Sequence, residues 1–175
     1  MRVRTHIICV HAHARKCYTS GVAEEPDVAA WRSLLVAYSR LVPAVEADLR
    51  SAGQIPLSWY DVLLELNAAP DHRLRMSELG ERALISRTRA SRVVDELAAV
   101  GLVAREADVH DRRSAFATLT PRGSQALRRA WPAYREAIGR RFGANLTAAQ
   151  CRELARLLDL AARSNETDIR GPVGR

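Results

Sequence analysis

The residues with the most distinctive chemistry are arginines and hydroxyls that cluster between positions 86 and 92, in the run Ser-Arg-Thr-Arg-Ala-Ser-Arg. Arginine and the small hydroxyl side chains are those that hydrogen-bond phosphate oxygens and base edges. A second group, Arg112 and Arg113, directly follows Asp111 in a polar stretch downstream. The sequence therefore places two neighbouring arginine groups where a polyanion could be bound.

A single helix over residues 86–100 is predicted to carry the first group. Its apolar residues recur at the i, i+3, i+4, i+7 spacing of a buried helical stripe, namely Ala90, Val93, Val94 and Leu97. Ser86 suits the N-cap, because its hydroxyl can accept from an amide of the first turn. The side chains expected opposite the stripe or on its flanks are Arg87, Thr88, Arg89, Ser91 and Arg92.

The order of charges along this helix indicates an anionic partner. All of its arginines lie in the N-terminal half, whereas Asp95 and Glu96 lie in the C-terminal half. An isolated helix prefers the reverse order, since the N-terminus is the positive end of the dipole. We therefore expect an anion at this end, and DNA phosphate is the simplest candidate.

The flanking segments predict a winged helix-turn-helix. Residues 77–83 form a short helix and residues 84–86 a tight turn, which is the spacing that places a second helix in the major groove. Residues 102–106 and 115–119 are predicted strands, joined by the charged loop 107–114. Two short strands after such a helix make a β-wing, whose arginines can reach a narrow minor groove.

These motifs resemble the MarR (multiple-antibiotic-resistance) type of bacterial winged-helix regulators. The segments that carry the resemblance are LSWYDVLLEL, MSELGERALISRTRASRVVDELAAVGLV and DRRSAFATLTPRG, at residues 57–66, 76–103 and 111–123. The resemblance implies a homodimer that binds a pseudo-palindromic site on double-stranded DNA and is released by a ligand or by oxidation. It also implies that Arg113 is the wing-tip arginine, that Asp111 orders the wing, and that residues 86–92 read the groove.

The fold class expected is mostly α with a small β-wing. We expect a flexible basic tail at 1–26, an N-terminal dimerisation helix at 27–56, a DNA-binding lobe at 57–120, dimerisation helices at 121–164 and a flexible tail at 165–175. Pro43 and Pro132 are predicted to bend their helices. The tetrads beginning at Ser58 and Thr147 are predicted to form capping boxes.

Composition is consistent with this assignment. The chain of 175 residues carries a net charge of +7, and Lys16 is its only lysine among 27 basic residues. Arginine enrichment suits phosphate and base recognition, but a GC-rich genome would produce the same bias. The odd number of cysteines and the absence of a long apolar run predict a cytoplasmic protein with no membrane partner. The expected DNA binding adds an association with the nucleoid.

The effector is less well defined by the sequence. We expect a small aromatic or phenolic ligand, with Trp31, Tyr38, Tyr60 and Asp61 as candidate contacts; packing or capping roles would also explain each of these residues. A thiol sensor is the alternative, although the stretch Ala-Trp-Arg-Ser at 30–33 lacks the cysteine of the peroxide-sensing relatives, and Cys151 suits packing better.

Other classes of site find little support. No phosphate loop, zinc-protease motif or nucleophile elbow occurs, so an enzyme and a cofactor are not expected. The spacing of Cys9, His11, His13 and Cys17 matches no metal site that we can defend. The competing interpretation of the winged helix is an effector-independent module for DNA architecture or protein contact.

Overall fold

The computed structural model describes residues 25–83, 85–107 and 115–169, with side chains as far as residue 163. Six α-helices occur in these ranges: α1 Pro26–Ser51, α2 Leu57–Ala68, α3 Met76–Arg82, α4 Arg87–Ala99, α5 Pro121–Arg141 and α6 Ala148–Ile169. The strands are β1 Arg73–Arg75, β2 Val103–Ala107 and β3 Ala115–Leu119. The chain divides into two units between Arg40 and Leu41, within α1. No helix in the described ranges is long and apolar enough to span a bilayer.

The strands form an antiparallel sheet in the order β1-β3-β2. Leu74 lies opposite Ala117 and Val103 opposite Leu119, and all four side chains are buried on the same face of the sheet. They share this face because alternate residues of a strand point to one side. This is the face that packs against the helices. The predicted mostly α fold with a β-wing is confirmed, and each predicted strand lies within a residue or two of its observed position.

The core of the unit that begins at Leu41 is built from α2, α3, α4, the sheet and α5. Every residue of the predicted apolar stripe on α4 is buried. The largest fully buried side chains come mainly from α2, α3 and α4: Tyr60, Leu49, Leu63, Leu66, Leu79, Leu97, Val62 and Val94. Burying one such side chain contributes about 1.5–3 kcal/mol, so packing rather than intrinsic propensity holds α4 in place.

The end of α4, the wing and the start of α5 meet at Thr120. Gly101 adopts φ 73° and ends α4, and Leu102 N donates to Leu97 O over 2.9 Å in a Schellman arrangement. The Thr120 hydroxyl donates to the carbonyls of Gly101 and Leu102 and accepts from Gly123 N over 3.0 Å as the N-cap of α5. Gly123 packs so closely on Leu102 that a side chain there would overlap the Leu102 carbonyl oxygen.

Two acids of α1 attach this helix to α2 and α5. Glu46 Oε2 accepts from Leu57 N over 2.8 Å and so caps the N-terminus of α2. Asp48 accepts two hydrogen bonds from Arg141, of 2.8 and 2.6 Å, and pairs with Arg140 at 3.1 Å. The hydrogen bond from Arg141, together with the two positive charges, lowers the pKa of Asp48 to about 2.

The predicted capping box at Ser58 is wrong. Helix α2 begins at Leu57 after Pro56, and no side chain of its own first turn caps it. Glu46 supplies the acceptor from α1 instead, so Asp61 is not required for capping. The capping box at Thr147 is confirmed, since Gln150 Oε1 accepts from Thr147 N over 2.8 Å and Thr147 Oγ1 accepts from Gln150 N over 3.3 Å.

The last helix is longer than the sequence indicated. Helix α6 continues to Ile169, past the boundary predicted at residue 164, because residues 165–169 contain neither glycine nor proline. Pro43 lies inside α1 and Pro132 inside α5. The bends expected at these two prolines stay predictions.

Replacing Gly123 by alanine should destabilise the protein. The new Cβ would overlap the Leu102 carbonyl oxygen and lie 2.8 Å from Leu119 Cδ1, so the backbone must shift at a cost of about 1–3 kcal/mol. The matched control is Gly139→Ala in the same helix, where nothing lies within 4 Å and a gain of about 0.5–1 kcal/mol is expected. Urea unfolding followed by circular dichroism measures both. Equal effects of the two substitutions would show that the close approach at Gly123 is unimportant.

Asp48→Asn should lower the thermal unfolding midpoint, and the difference should depend on pH. The folded pKa of about 2 lies below the ordinary value of 3.8, so the ionised carboxyl stabilises the fold above about pH 4 and this contribution is lost as pH falls towards 2. The two midpoints should therefore converge in acid. Glu153→Gln, which removes the acid of an exposed pair on α6, is the control and should have a smaller effect. A constant difference across this pH range would contradict the assignment.

Candidate nucleic-acid interface

Helices α3 and α4 are joined by a tight turn that brings them into close contact. Ile85 N donates to Gly80 O over 3.1 Å, and an added Cβ at Gly80 would lie only 3.4 Å from Ile85 O and 3.7 Å from the Ala90 side chain. Ser86 Oγ accepts from Arg89 N over 3.3 Å, which confirms Ser86 as the N-cap of α4. The helix-turn-helix predicted from the sequence is therefore present.

The N-terminal half of α4 presents its polar side chains to solvent. Arg87, Thr88, Arg89 and Arg92 are all exposed. Within the described residues no acid forms an ion pair with these three arginines. A surface groove of about 370 Å³ runs along this half of the helix, and the residues lining it are Ser58, Ser86, Thr88, Arg89, Arg92, Val93 and Glu96.

The acids in the C-terminal half of α4 are held by residues from other elements. Arg105 of β2 pairs with Asp95, and its Nη1 also donates to Ser91 Oγ over 3.3 Å. On the other flank, Trp59 Nε1 of α2 donates to Glu96 Oε2 over 2.8 Å. Of the residues expected opposite the apolar stripe or on its flanks, Thr88 and Arg92 are exposed, whereas Ser91 is half-buried and bonded to the wing strand.

Two arginines of β1 lie over the ring of Phe116 in β3, on the face of the sheet away from the core. The guanidinium of Arg73 lies 3.9 Å from the ring centroid of Phe116, and that of Arg75 lies 5.2 Å from it. Arg73 also pairs with Glu106 at 3.3 Å. Asp111, Arg112 and Arg113 lie outside the described residues, so their predicted roles at the wing tip stay predictions.

Comparison with known proteins gives a consistent assignment. The MarR family model matches residues 54–114. The HTH-type transcriptional repressor Rv2887 of Mycobacterium tuberculosis is 37% identical over 119 residues, which cover 68% of this chain and 83% of that protein. The chain belongs to the MarR family. It is a DNA-binding transcriptional regulator with a winged-helix fold.

Solved structures of MarR-family proteins share the fold. Sco3205 of Streptomyces coelicolor, crystallised in complex with DNA, matches with a TM-score of 0.70 and 32% identity over 82% of this chain and 90% of that one. Rv2887 in complex with p-aminosalicylic acid matches with a TM-score of 0.59 and 33% identity, covering 75% of this chain and 97% of that one. AbsC, also of Streptomyces coelicolor, matches with a TM-score of 0.70 and 28% identity over 85% of this chain and 99% of that one.

The candidate effector residues of this MarR-family chain differ in environment. Tyr60 is only 1% exposed and packs on Tyr134 with 4.2 Å between ring centroids, and burial raises its pKa to about 12. Asp61 is half-buried, and burial followed by the charges of Glu65 and Glu46 raises its pKa to about 6. Trp31 and Tyr38, on α1, are 61% and 68% exposed.

Three residues that matter to the site were not identified from the sequence. Arg105, Trp59 and Glu96 hold the two flanks of α4 through contacts between distant parts of the chain. Strand alternation contained part of the signal: Arg105 lies two residues after the buried Val103 and so shares the face of β2 that packs towards α4. Trp59 and Glu96 had no comparable signal, because Trp59 packs partly against the core as an apolar residue does and Glu96 is exposed as most acids are.

Proposed function

We propose that this protein is a repressor that binds a pseudo-palindromic operator as a homodimer and is released by a small-molecule effector. Helix α4 enters the major groove, where Thr88 and Arg92 contact base edges and Ser86, Arg87 and Arg89 contact phosphates. In this proposal Arg112 and Arg113 contact the adjacent minor groove and Asp111 orders the wing. The resemblance to Rv2887, named a transcriptional repressor, supports the sign of regulation.

The observation that carries the proposal is the exposed arginine-rich head of α4. Arg87 and Arg89 lie in the first turn, at the positive end of the helix dipole, and both are exposed. Two like charges at this position are unfavourable in the isolated protein, by about 0.3–1 kcal/mol each. A phosphate backbone removes this cost and supplies the anion that the helix terminus favours.

Exposed apolar side chains support a homodimer. On α1 they are Val28, Trp31, Leu34, Leu35 and Tyr38, and on α6 they are Leu157, Leu158 and Leu160. Spacings of three, four and seven residues place such groups on one face of a helix, and exposed apolar faces of this kind mark contact surfaces. Covering them in a dimer would hold two copies of α4 about one DNA turn, roughly 34 Å, apart.

Regulation by a small molecule is supported by the environment of Asp61. A carboxyl whose pKa is raised to about 6 lies in a partly water-excluded position close to Glu46, the residue that caps α2. A ligand that changes the charge or packing here would act on the connection between α1 and α2. Rv2887 was crystallised with p-aminosalicylic acid, which makes this compound a suitable first probe.

Arg92→Ala should weaken binding and relax base preference at one position in each half-site. The duplex is first selected from a random-sequence library by the wild-type protein, and affinity is then measured by fluorescence anisotropy as salt is varied. Loss of one base contact should cost about 1–3 kcal/mol, whereas Arg113→Ala should weaken binding to all sequences and reduce the salt slope by about 1.

The control for these variants is Arg135→Ala, which removes one exposed arginine from α5 and should leave affinity nearly unchanged. Selection of no preferred duplex by the wild-type dimer would contradict the repressor proposal and favour an architectural module. Unaltered affinity and base preference in Arg92→Ala would contradict the reading role of that residue.

p-Aminosalicylic acid should raise the unfolding midpoint of the wild-type protein and reduce its affinity for the selected duplex. A ligand that binds only the folded state stabilises it in proportion to RT ln(1 + [L]/Kd). Asp61→Asn and Trp31→Ala test two of the four candidate contacts, and Cys151→Ser tests the described cysteine for the thiol alternative. No shift with this compound or with a panel of phenolic and purine compounds would contradict small-molecule release, and loss of regulation in Cys151→Ser alone would favour a thiol sensor.

A further inference from the structure

The DNA-facing row of α4 contains an acid. Thr88, Arg92 and Asp95 are spaced at i, i+4 and i+7, which places them on one face of the helix, and all three are exposed. The buried stripe lies on the opposite face. In the proposed complex, Asp95 would therefore point towards the duplex, whose phosphates would repel an unpaired carboxylate.

Arg105 is the residue that offsets this charge. Its guanidinium extends from β2, on the same side of the strand as the buried Val103, and pairs with Asp95. The same Nη1 donates to Ser91 Oγ over 3.3 Å, one turn earlier on α4. Arg105 thus bridges two turns of α4 from a strand of the wing. Its side chain is 36% exposed to solvent.

We propose that Arg105 is a positioning residue for DNA recognition, which acts through Asp95 and Ser91 rather than by binding DNA itself. The contact has two consequences. It keeps the Asp95 carboxylate neutralised on the face that meets the phosphates, and it fixes the wing strand relative to α4. The inference rests on the proposed DNA-binding role of α4 and assigns to Arg105 a function that the resemblance did not include.

The alternative for Arg105 is a direct contact to phosphate, and the two make opposite predictions. In the positioning role, Arg105→Ala exposes an unpaired acid to the duplex, and Asp95→Asn in the same chain removes that acid. The double variant should then bind better than Arg105→Ala alone. In the phosphate-contact role, Asp95→Asn releases Arg105 to bind DNA more tightly, so Arg105→Ala costs at least as much affinity in the Asp95→Asn background as in the wild type.

The experiment is a double-mutant cycle on the duplex that the wild-type protein selects from a random-sequence library. We expect Arg105→Ala to reduce affinity by about tenfold, which corresponds to about 1.4 kcal/mol, and the double variant to recover most of this loss. The salt slope of the double variant should equal that of the wild type, because no phosphate contact is removed. Arg105→Lys should rescue only in part, since an ammonium cannot hold both acceptors in the same planar geometry.

Controls separate the inference from stability and from the broader function. Arg156→Ala removes the arginine of another exposed ion pair, with Glu153 on α6, and should leave DNA affinity nearly unchanged. Unfolding midpoints of all variants show whether any loss reflects folding. Additive effects in the cycle, or a salt slope that stays lower by about 1 in the double variant, would overturn the positioning role. Failure of the wild-type protein to select any duplex would instead contradict the repressor proposal.

Discussion

The arrangement of charge on α4 is the constraint that the rest of the lobe has to accommodate. Arg87 and Arg89 lie at the positive end of the helix, and each costs about 0.3–1 kcal/mol there. The opposing contribution comes from the buried stripe, in which Val93, Val94 and Leu97 each contribute about 1.5–3 kcal/mol. Burial therefore exceeds the electrostatic cost several-fold, and the helix can keep an arginine-rich terminus that only a polyanion would favour.

Helix α4 is held by its neighbours on three sides. Helix α3 packs closely at Gly80, the wing strand bonds through Arg105, and α2 bonds through Trp59. The Schellman turn at Gly101 then leads the chain directly into the sheet. A helix that reads base edges must be fixed to within a fraction of an ångström, and these contacts from separate elements restrict its rotation more than any single contact could.

The C-terminal half of α1 contacts α2 and α5 through two acids that lie within one helical turn. Glu46 caps α2, and Asp48 holds the end of α5 through Arg141 and Arg140. Helix α2 also carries Trp59, which bonds Glu96 on α4. Helix α2 therefore has a polar contact to α1 at its N-terminus and another to the flank of the DNA-facing helix.

Local patterns in the sequence predicted the helices, the turn and the two wing strands. They did not predict the contacts between distant segments of the chain. The stripe of α4, its N-cap at Ser86 and the capping box at Thr147 depend on residues a few positions apart, and the structure confirms them. The capping box at Ser58 was wrong because Glu46, eleven residues before Leu57, supplies the acceptor for the Leu57 amide. Ser91 was expected to face DNA, but its environment depends on Arg105, fourteen residues later, and helical periodicity contains no information about such a partner.

The distribution of acids on α4 also bears on how this protein would discriminate between sequences. Phosphate contacts strengthen binding to every duplex alike, and a net charge of +7 favours such binding whatever the base sequence. Specificity is a difference between affinities, so a basic surface alone does not supply it. Asp95 is paired with Arg105 and Glu96 is held by Trp59, and Arg92 is the one basic side chain in the DNA-facing row of Thr88, Arg92 and Asp95. A larger share of the binding free energy then has to come from base-edge contacts, and Thr88 and Arg92 are the exposed side chains on that row able to make them.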